Sequence, residues 1–224
     1  MIGLSEDEGM KQTVKMGKTS MATSRRPGRP MGGQLEVDRE QVLDAAERAI
    51  AREGAGASIE AVALEAGVTK PIVYDRVGGR ADLADALAER LADRMAAAAA
   101  EAVRVDTTLT KESLRGFIEA NLLVVGQHRN LFLYVTGGTT EQTALGRLKL
   151  TERSATPMSA ALTAWRTGFG QSTDVAESWA FGIVGMLQMV SMWWLTQDQR
   201  PAAEVAEQIT DLLWYGLPGR GRES

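Results

Sequence analysis

Cysteine is absent from the chain, and histidine occurs once, at His128. Without cysteine there is no disulfide framework, no thiolate nucleophile and no thiolate zinc site. With one histidine there is no imidazole cluster for a metal. His128 precedes Arg129 and Asn130 and has no triad partner in view; it reads as a helix-end residue near a C-terminal dipole. No phosphate-cradling glycine loop occurs either, so nothing indicates an enzyme and no cofactor is expected. Basic excess is also lacking. The formal net charge is −4 over 224 residues, so any nucleic-acid contact must come from locally placed charge. The run from Trp179 to Leu195 carries no charge for 17 residues. That is short of the roughly 20 a membrane span needs, and the run includes Gln188 and Ser191. It reads as a buried core helix. No apolar leader core opens the chain. These absences fit a reducing cytoplasm.

What is present is helical periodicity almost throughout. Residues 1–33 are the exception. They form a polar arm with Lys11, Lys15, Lys18, Arg25, Arg26 and Arg29 against Glu6, Asp7 and Glu8. The arm lacks apolar periodicity and is expected to be disordered, as is a short tail at 218–224. A first helix is predicted from about Asp38 to Glu53, with Val42, Leu43, Ala46, Ala49 and Ile50 at three- and four-residue intervals. Ser58 reads as the N-cap of a second helix, with Glu60 in its first turn.

The stretch "GVTKPIVYDRVGGRADL", Gly67 to Leu83, leaves room for only about two helical turns between its glycines. Thr69 can cap that short helix, and Pro71 sits in the first turn, where its missing N–H costs little. Val68, Val73 and Val77 are predicted to face inward. Lys70, Pro71, Ile72 and Tyr74 are predicted to face outward, with Asp75 and Arg76 to the side. This is a helix-turn-helix whose outer face suits a DNA major groove. Gly78 and Gly79 end the short helix, and Arg80 opens the next. An arginine there opposes its own helix dipole, which Asp82 or a DNA phosphate would offset.

A fourth helix is predicted from Arg80 to about Arg104, with Leu83, Ala84, Leu87, Leu91 and Met95 on its inner face. Further helices are predicted near 111–127 and 130–135, within 141–167 with a disturbance near Pro157, over 173–196, and from Pro201 to Tyr215. The fold class is therefore all-α with about nine helices. The expected division is a helix-turn-helix domain at 34–83 and a helical effector-binding and dimerisation domain at 84–217.

The segment "AGVTKPIVYDRVGGRADL", Ala66 to Leu83, resembles the DNA-binding signature of TetR-family transcriptional regulators. Val77, Arg76, Gly79 and Arg80 depart from the family's preferred phenylalanine, histidine or tyrosine, serine or asparagine, and lysine. The resemblance implies a regulator, most simply a repressor released from its operator by a small apolar ligand. The alternative is a ligand-independent regulator controlled by a protein partner or by abundance. It implies that Tyr74 and Arg80 meet phosphate, that Lys70, Pro71 and Ile72 meet base edges, and that Ser58 and Thr69 cap helices at the DNA, with Arg76 beside them. In the arm, "RRPGRP" resembles an AT-hook core, whose Arg25, Arg26 and Arg29 would lie in a narrow minor groove.

A symmetric operator on double-stranded DNA calls for a homodimer with reading heads about 34–36 Å apart. The last two helices are the expected contact, since Gly182 and Gly185 would let another helix approach. The resemblance also implies an effector pocket between the linking helix and helices five to eight. Trp165, Phe169, Met186, Met189 and Trp193 are its candidate walls, with Gln188, Asn121 and Thr136 as polar contacts.

Overall fold

A computed structural model describes residues 37–102, 109–137, 141–197 and 200–217. The basic arm with Arg25, Arg26 and Arg29, and the tail at 218–224, lie outside the described residues. Nine helices and no strands occupy the described residues. They are α1 (Arg39–Glu53), α2 (Ile59–Ala66), α3 (Lys70–Val77), α4 (Arg80–Ala102), α5 (Lys111–Gln127), α6 (Arg129–Thr136), α7 (Glu141–Gly168), α8 (Ala176–Trp194) and α9 (Ala202–Tyr215). Among the described residues, no helix is long and apolar enough to cross a membrane.

Local chemistry sets the first three helices. Asp38 and Gln41 close a reciprocal capping box at the start of α1. The Gln41 N–H donates to Asp38 Oδ1 at 2.8 Å, and the Asp38 N–H donates to Gln41 Oε1 at 2.9 Å. Ser58 Oγ accepts the Ala61 N–H at 3.2 Å and caps α2. Gly67, at φ 67°, turns the chain left-handed, and its N–H returns to the last carbonyls of α2. Thr69 occupies the N-cap of α3 but makes no side-chain cap bond, so the cap expected there is positional only. Gly78, at φ 75°, ends α3; a Cβ there would also strike Asp82. Asp82 Oδ2 instead accepts the Gly79 N–H at 2.8 Å and steadies the first turn of α4.

The apolar core does not break between 83 and 84. Val42, Ile50, Val62, Val73 and Leu83 of the head belong to one buried cluster with Leu87 and Leu91 of α4 and with Leu131, Phe132 and Val135 of α6. α4 is about 34 Å long at 1.5 Å per residue, so it runs from the head deep into the body. Ion pairs fasten it on both sides. Arg90 binds Glu40, Asp44 and Glu47 of α1, and Arg94 binds Glu47 at 2.7 Å. Lys149 and Arg153 of α7 pair with Asp85, Glu89 and Asp93.

α7 continues for 28 residues straight through Pro157. The proline leaves the Arg153 carbonyl without its helical donor, a local disturbance that does not end the helix. α9 packs on α5, where Lys111 binds Asp211 at 2.8 Å and lies over the Tyr215 ring.

Candidate DNA-reading head and effector cavity

On α3, Val73 and Val77 are buried against α1 and α2, and this fixes the opposite face outward. Lys70, Pro71 and Asp75 are exposed, Ile72 is half-buried, and Tyr74 is 51% exposed. Lys70, Pro71 and Tyr74 therefore share the free surface of a helix too short to stand alone, held by packing behind it.

The head's cations are engaged within the protein. Lys70 pairs with Glu60 of α2. Arg48 and Arg52 both grip Glu65. Arg76 sends its Nε–H to the Val37 carbonyl at 2.9 Å and also pairs with Asp75. Arg80 is exposed and is also bonded within the protein. It donates to the Ala57 carbonyl at 2.8 Å and the Ala55 carbonyl at 3.3 Å, with its guanidinium 4.9 Å from the centre of the Tyr134 ring. Arg80 thus joins the α1–α2 turn to α6. From 38 to 83 there are nine acidic against six basic side chains. The described head therefore offers little long-range attraction to DNA.

His128 lies at the α5–α6 junction, behind α1. Its imidazole is held below the ordinary 6.5 by burial and by neighbouring Arg94. Asn130 sends its side-chain N–H to the Ala51 carbonyl at 3.0 Å, a second tie between α6 and the end of α1.

In the body, α4, α5 and α7 wall a partly open cavity of about 210 Å³. Its walls follow helical spacing: Met95, Ala96, Ala99 and Ala100 from α4, Leu114, Phe117 and Asn121 from α5, and Ser154, Pro157, Met158 and Ala161 from α7. The cause is legible in the chain. α4 carries an unbroken alanine run from Ala96 to Ala100. Alanines on this face leave unfilled the volume that leucines fill at Leu83, Leu87 and Leu91. Among the described residues, no ionisable side chain lines the cavity. Ser154 Oγ is buried without a hydrogen-bond partner, which costs about 1–3 kcal/mol when left so.

None of the six residues singled out as ligand contacts lines this cavity. Phe169, Met189 and Trp193 are 63%, 52% and 44% exposed. Gln188 hydrogen-bonds Thr151 Oγ1 at 3.2 Å. Trp165 and Met186 line a second, wider groove of about 540 Å³ beside Trp179, Gly182, Leu213 and Trp214. Of the polar candidates, Asn121 reaches the cavity, while Thr136 donates to the Phe132 carbonyl at 2.6 Å. The buried face of α8 is small and aliphatic, through Ala180, Val184, Leu187 and Ser191. Of its larger apolar side chains, Trp179, Met189 and Trp193 are exposed, whereas Phe181, Ile183, Val190, Met192 and Trp194 pack partly buried against the core. Periodicity alone cannot tell a core face from an interface face, because both are apolar. The signal missed in the sequence was the alanine run.

Comparisons with known proteins converge on one family. Residues 42–87 match the family described as "Bacterial regulatory proteins, tetR family". Residues 148–222 match "Tetracyclin repressor-like, C-terminal domain". An HTH-type transcriptional regulator of Mycobacterium tuberculosis is 26% identical over 188 residues, covering 81% of this chain and 77% of that protein. Among solved structures, the fatty acid degradation regulator FadR of Bacillus halodurans superposes with TM-score 0.60 at 21% identity, covering 80% of this chain and 98% of that one. FadR of Bacillus subtilis, in complex with stearoyl-CoA, superposes with TM-score 0.59 at 18% identity over the same shares. At those identities the two structures speak for the fold.

Proposed function

Because the chain belongs to the TetR family of transcriptional regulators, we propose that it is a homodimeric operator-binding repressor released from DNA by a small apolar ligand. Family and fold are those of transcriptional regulators, not of enzymes. In this reading Lys70, Pro71 and Ile72 meet base edges in the major groove, and Lys70 leaves Glu60 to donate to a guanine edge. Tyr74 donates its hydroxyl to a phosphate, and the α2 and α3 N-termini at Ser58 and Thr69 face the same backbone. Arg76 and Arg80 act as positioning residues that fix the head. The arm supplies the cations that the described head lacks, with Arg25, Arg26 and Arg29 in the adjacent minor groove.

The dimer forms through α8 and α9. Trp179, Gly182, Met186, Met189 and Trp193 follow alternating steps of three and four along one side of α8, the spacing of a coiled-coil seam. A Cβ at Gly182 or Gly185 would meet nothing within 4 Å, so a second helix can come close. Trp214 of α9 lines the same groove as Trp179, Gly182 and Met186, and Leu212 and Tyr215 are also exposed on α9. A patch of this kind marks an association site.

One observation carries the switch: the cavity is walled by α4, the helix that begins inside the head and is ion-paired to α1. A ligand between α4 and α7 displaces the far half of α4, and the pairs at Arg90 and Arg94 pass that motion to α1. The spacing of the two heads then leaves one helical turn. Release needs the ligand to favour the displaced state, at about 1.4 kcal/mol for each tenfold loss of DNA affinity. The cavity favours this reading over a ligand-blind regulator. Selection of bound genomic fragments supplies the operator, and its affinity is then measured with and without apolar ligands. Operator binding that no ligand changes across a broad panel would contradict the switch.

A further inference from the structure

We infer that the effector of the α4–α5–α7 cavity is a neutral hydrocarbon bearing a single hydroxyl or carbonyl, recognised by Ser154, and not an anionic lipid. This rests on reading that cavity as the effector site. Its described lining holds three polar side chains: Ser113, Asn121 and Ser154. Two of them are committed. The Ser113 hydroxyl donates to the Thr110 carbonyl at 2.9 Å and accepts the Thr110 N–H at 2.8 Å, which caps α5. The Asn121 amide N–H donates to the Phe117 carbonyl at 2.8 Å, leaving its side-chain oxygen to accept from a ligand hydroxyl.

Ser154 differs from three other hydroxyls of its helix. Thr151, Thr156 and Thr167 each donate back to the carbonyl four residues earlier, at 2.8, 3.0 and 2.8 Å. The Ser154 hydroxyl makes no such bond, although it is buried. In its observed rotamer the oxygen faces almost no free space, so it meets a ligand by turning to another staggered rotamer toward the cavity that Ser154 lines.

Charge argues in the same direction. Among the described residues, cations of the flanking helices are paired with carboxylates: Lys111 with Asp211 and Glu207, Arg115 with Glu119, and Arg153 with Glu89 and Asp93. A carboxylate among Met95, Leu114, Phe117 and Met158 would be desolvated without a partner, which is strongly unfavourable. Size sets the scale. At about 30 Å³ per water-sized group, the cavity of about 210 Å³ takes about seven such groups. Leu109, Leu114 and Met158 also border the wider groove, so a longer tail has a way onward.

The test is calorimetric titration of the full chain at neutral pH with 1-octanol, 2-octanone, octane and octanoate. The alcohol and the ketone should bind at least tenfold tighter than octanoate. Ser154→Ala should bring the alcohol to within about threefold of octane and leave octane itself unchanged. Octanoate binding as tightly as 1-octanol would overturn the neutral effector while leaving the cavity reading intact. Equal affinity for octane and 1-octanol in the unaltered chain would remove the role of Ser154. Failure of all four to bind would overturn the cavity reading, and this inference with it.

Discussion

In the head, Val42, Leu43, Ile50, Val62, Val73 and Leu83 are almost fully buried and belong to one continuous cluster. In the body, Ala96, Ala99 and Ala100 of α4 instead border an open space of about 210 Å³, with Ser154 and Pro157 among its other walls. One helix belongs to both regions. The near half of α4 carries Leu83, Leu87 and Leu91, each fully buried, and the far half carries the alanine run. The head is thus close-packed, whereas the body leaves a space unfilled. A rod held firmly at one end and loosely at the other can transmit a displacement, because a packed core moves as a unit.

The comparison breaks most easily by substituting one side chain in each region. Leu83→Ala in the head should cost about 2–5 kcal/mol, since the packed surroundings cannot collapse onto the gap. Ala99→Leu in the body should be tolerated or stabilising, because the added atoms enter existing space. Chemical denaturation reads both. Equal destabilisation by the two variants would erase the distinction.

On DNA, Lys70→Ala should lose about 1–3 kcal/mol of discrimination at one base position, seen in competition between operator variants. Replacing Arg25, Arg26 and Arg29 by alanine should weaken binding on every sequence and flatten its salt dependence. If both changes acted uniformly across sequences, α3 would not be the reading element.

A finer contrast lies between the two caps. Ser58→Ala should cost about 1 kcal/mol, since Ser58 accepts the Ala61 N–H, whereas Thr69→Ala should cost less because Thr69 makes no such bond.

The smallest effect is on pH dependence. His128 is held below 6.5 in the folded protein, so the unfolded chain takes up the proton first. Stability from this group is whole above pH 6.5 and is lost as pH falls toward the folded value. Hydrogen bonds from Arg90 and Arg48 hold the Glu40 and Glu65 carboxyls below 4.5, so their share survives to lower pH and disappears in acid. His128→Gln should flatten the slope just below pH 6.5 and leave the acid limb in place.

Much of the head was legible because its signals are local. Gly67 and Gly78 mark turns that need positive φ, Ser58 caps, and Pro71 sits where no N–H is missed. The bounds of α5 were also set locally, by Thr110 and the break at His128. The rest depended on distant partners. The bonds of Arg80 to the Ala55 and Ala57 carbonyls and its place beside the Tyr134 ring could not be read locally, since Tyr134 lies 54 positions away in the chain. The cavity was hidden for a different reason. Alanine is an excellent helix former, so Ala96 to Ala100 read as helix; that the run also withholds volume appears only when α7 is opposite. The exposure of Trp179 and Trp193 on α8 could not be read from spacing, because apolar periodicity is the same for a buried and an exposed face.

Operator affinity of the unaltered chain and of Ala99→Leu, each titrated with 1-octanol, tests the central claim most directly. The account predicts that both bind the operator equally without ligand, that the unaltered chain loses at least tenfold in affinity as alcohol is added, and that the filled variant does not respond. A filled variant that releases DNA at the same alcohol concentration as the unaltered chain would contradict it.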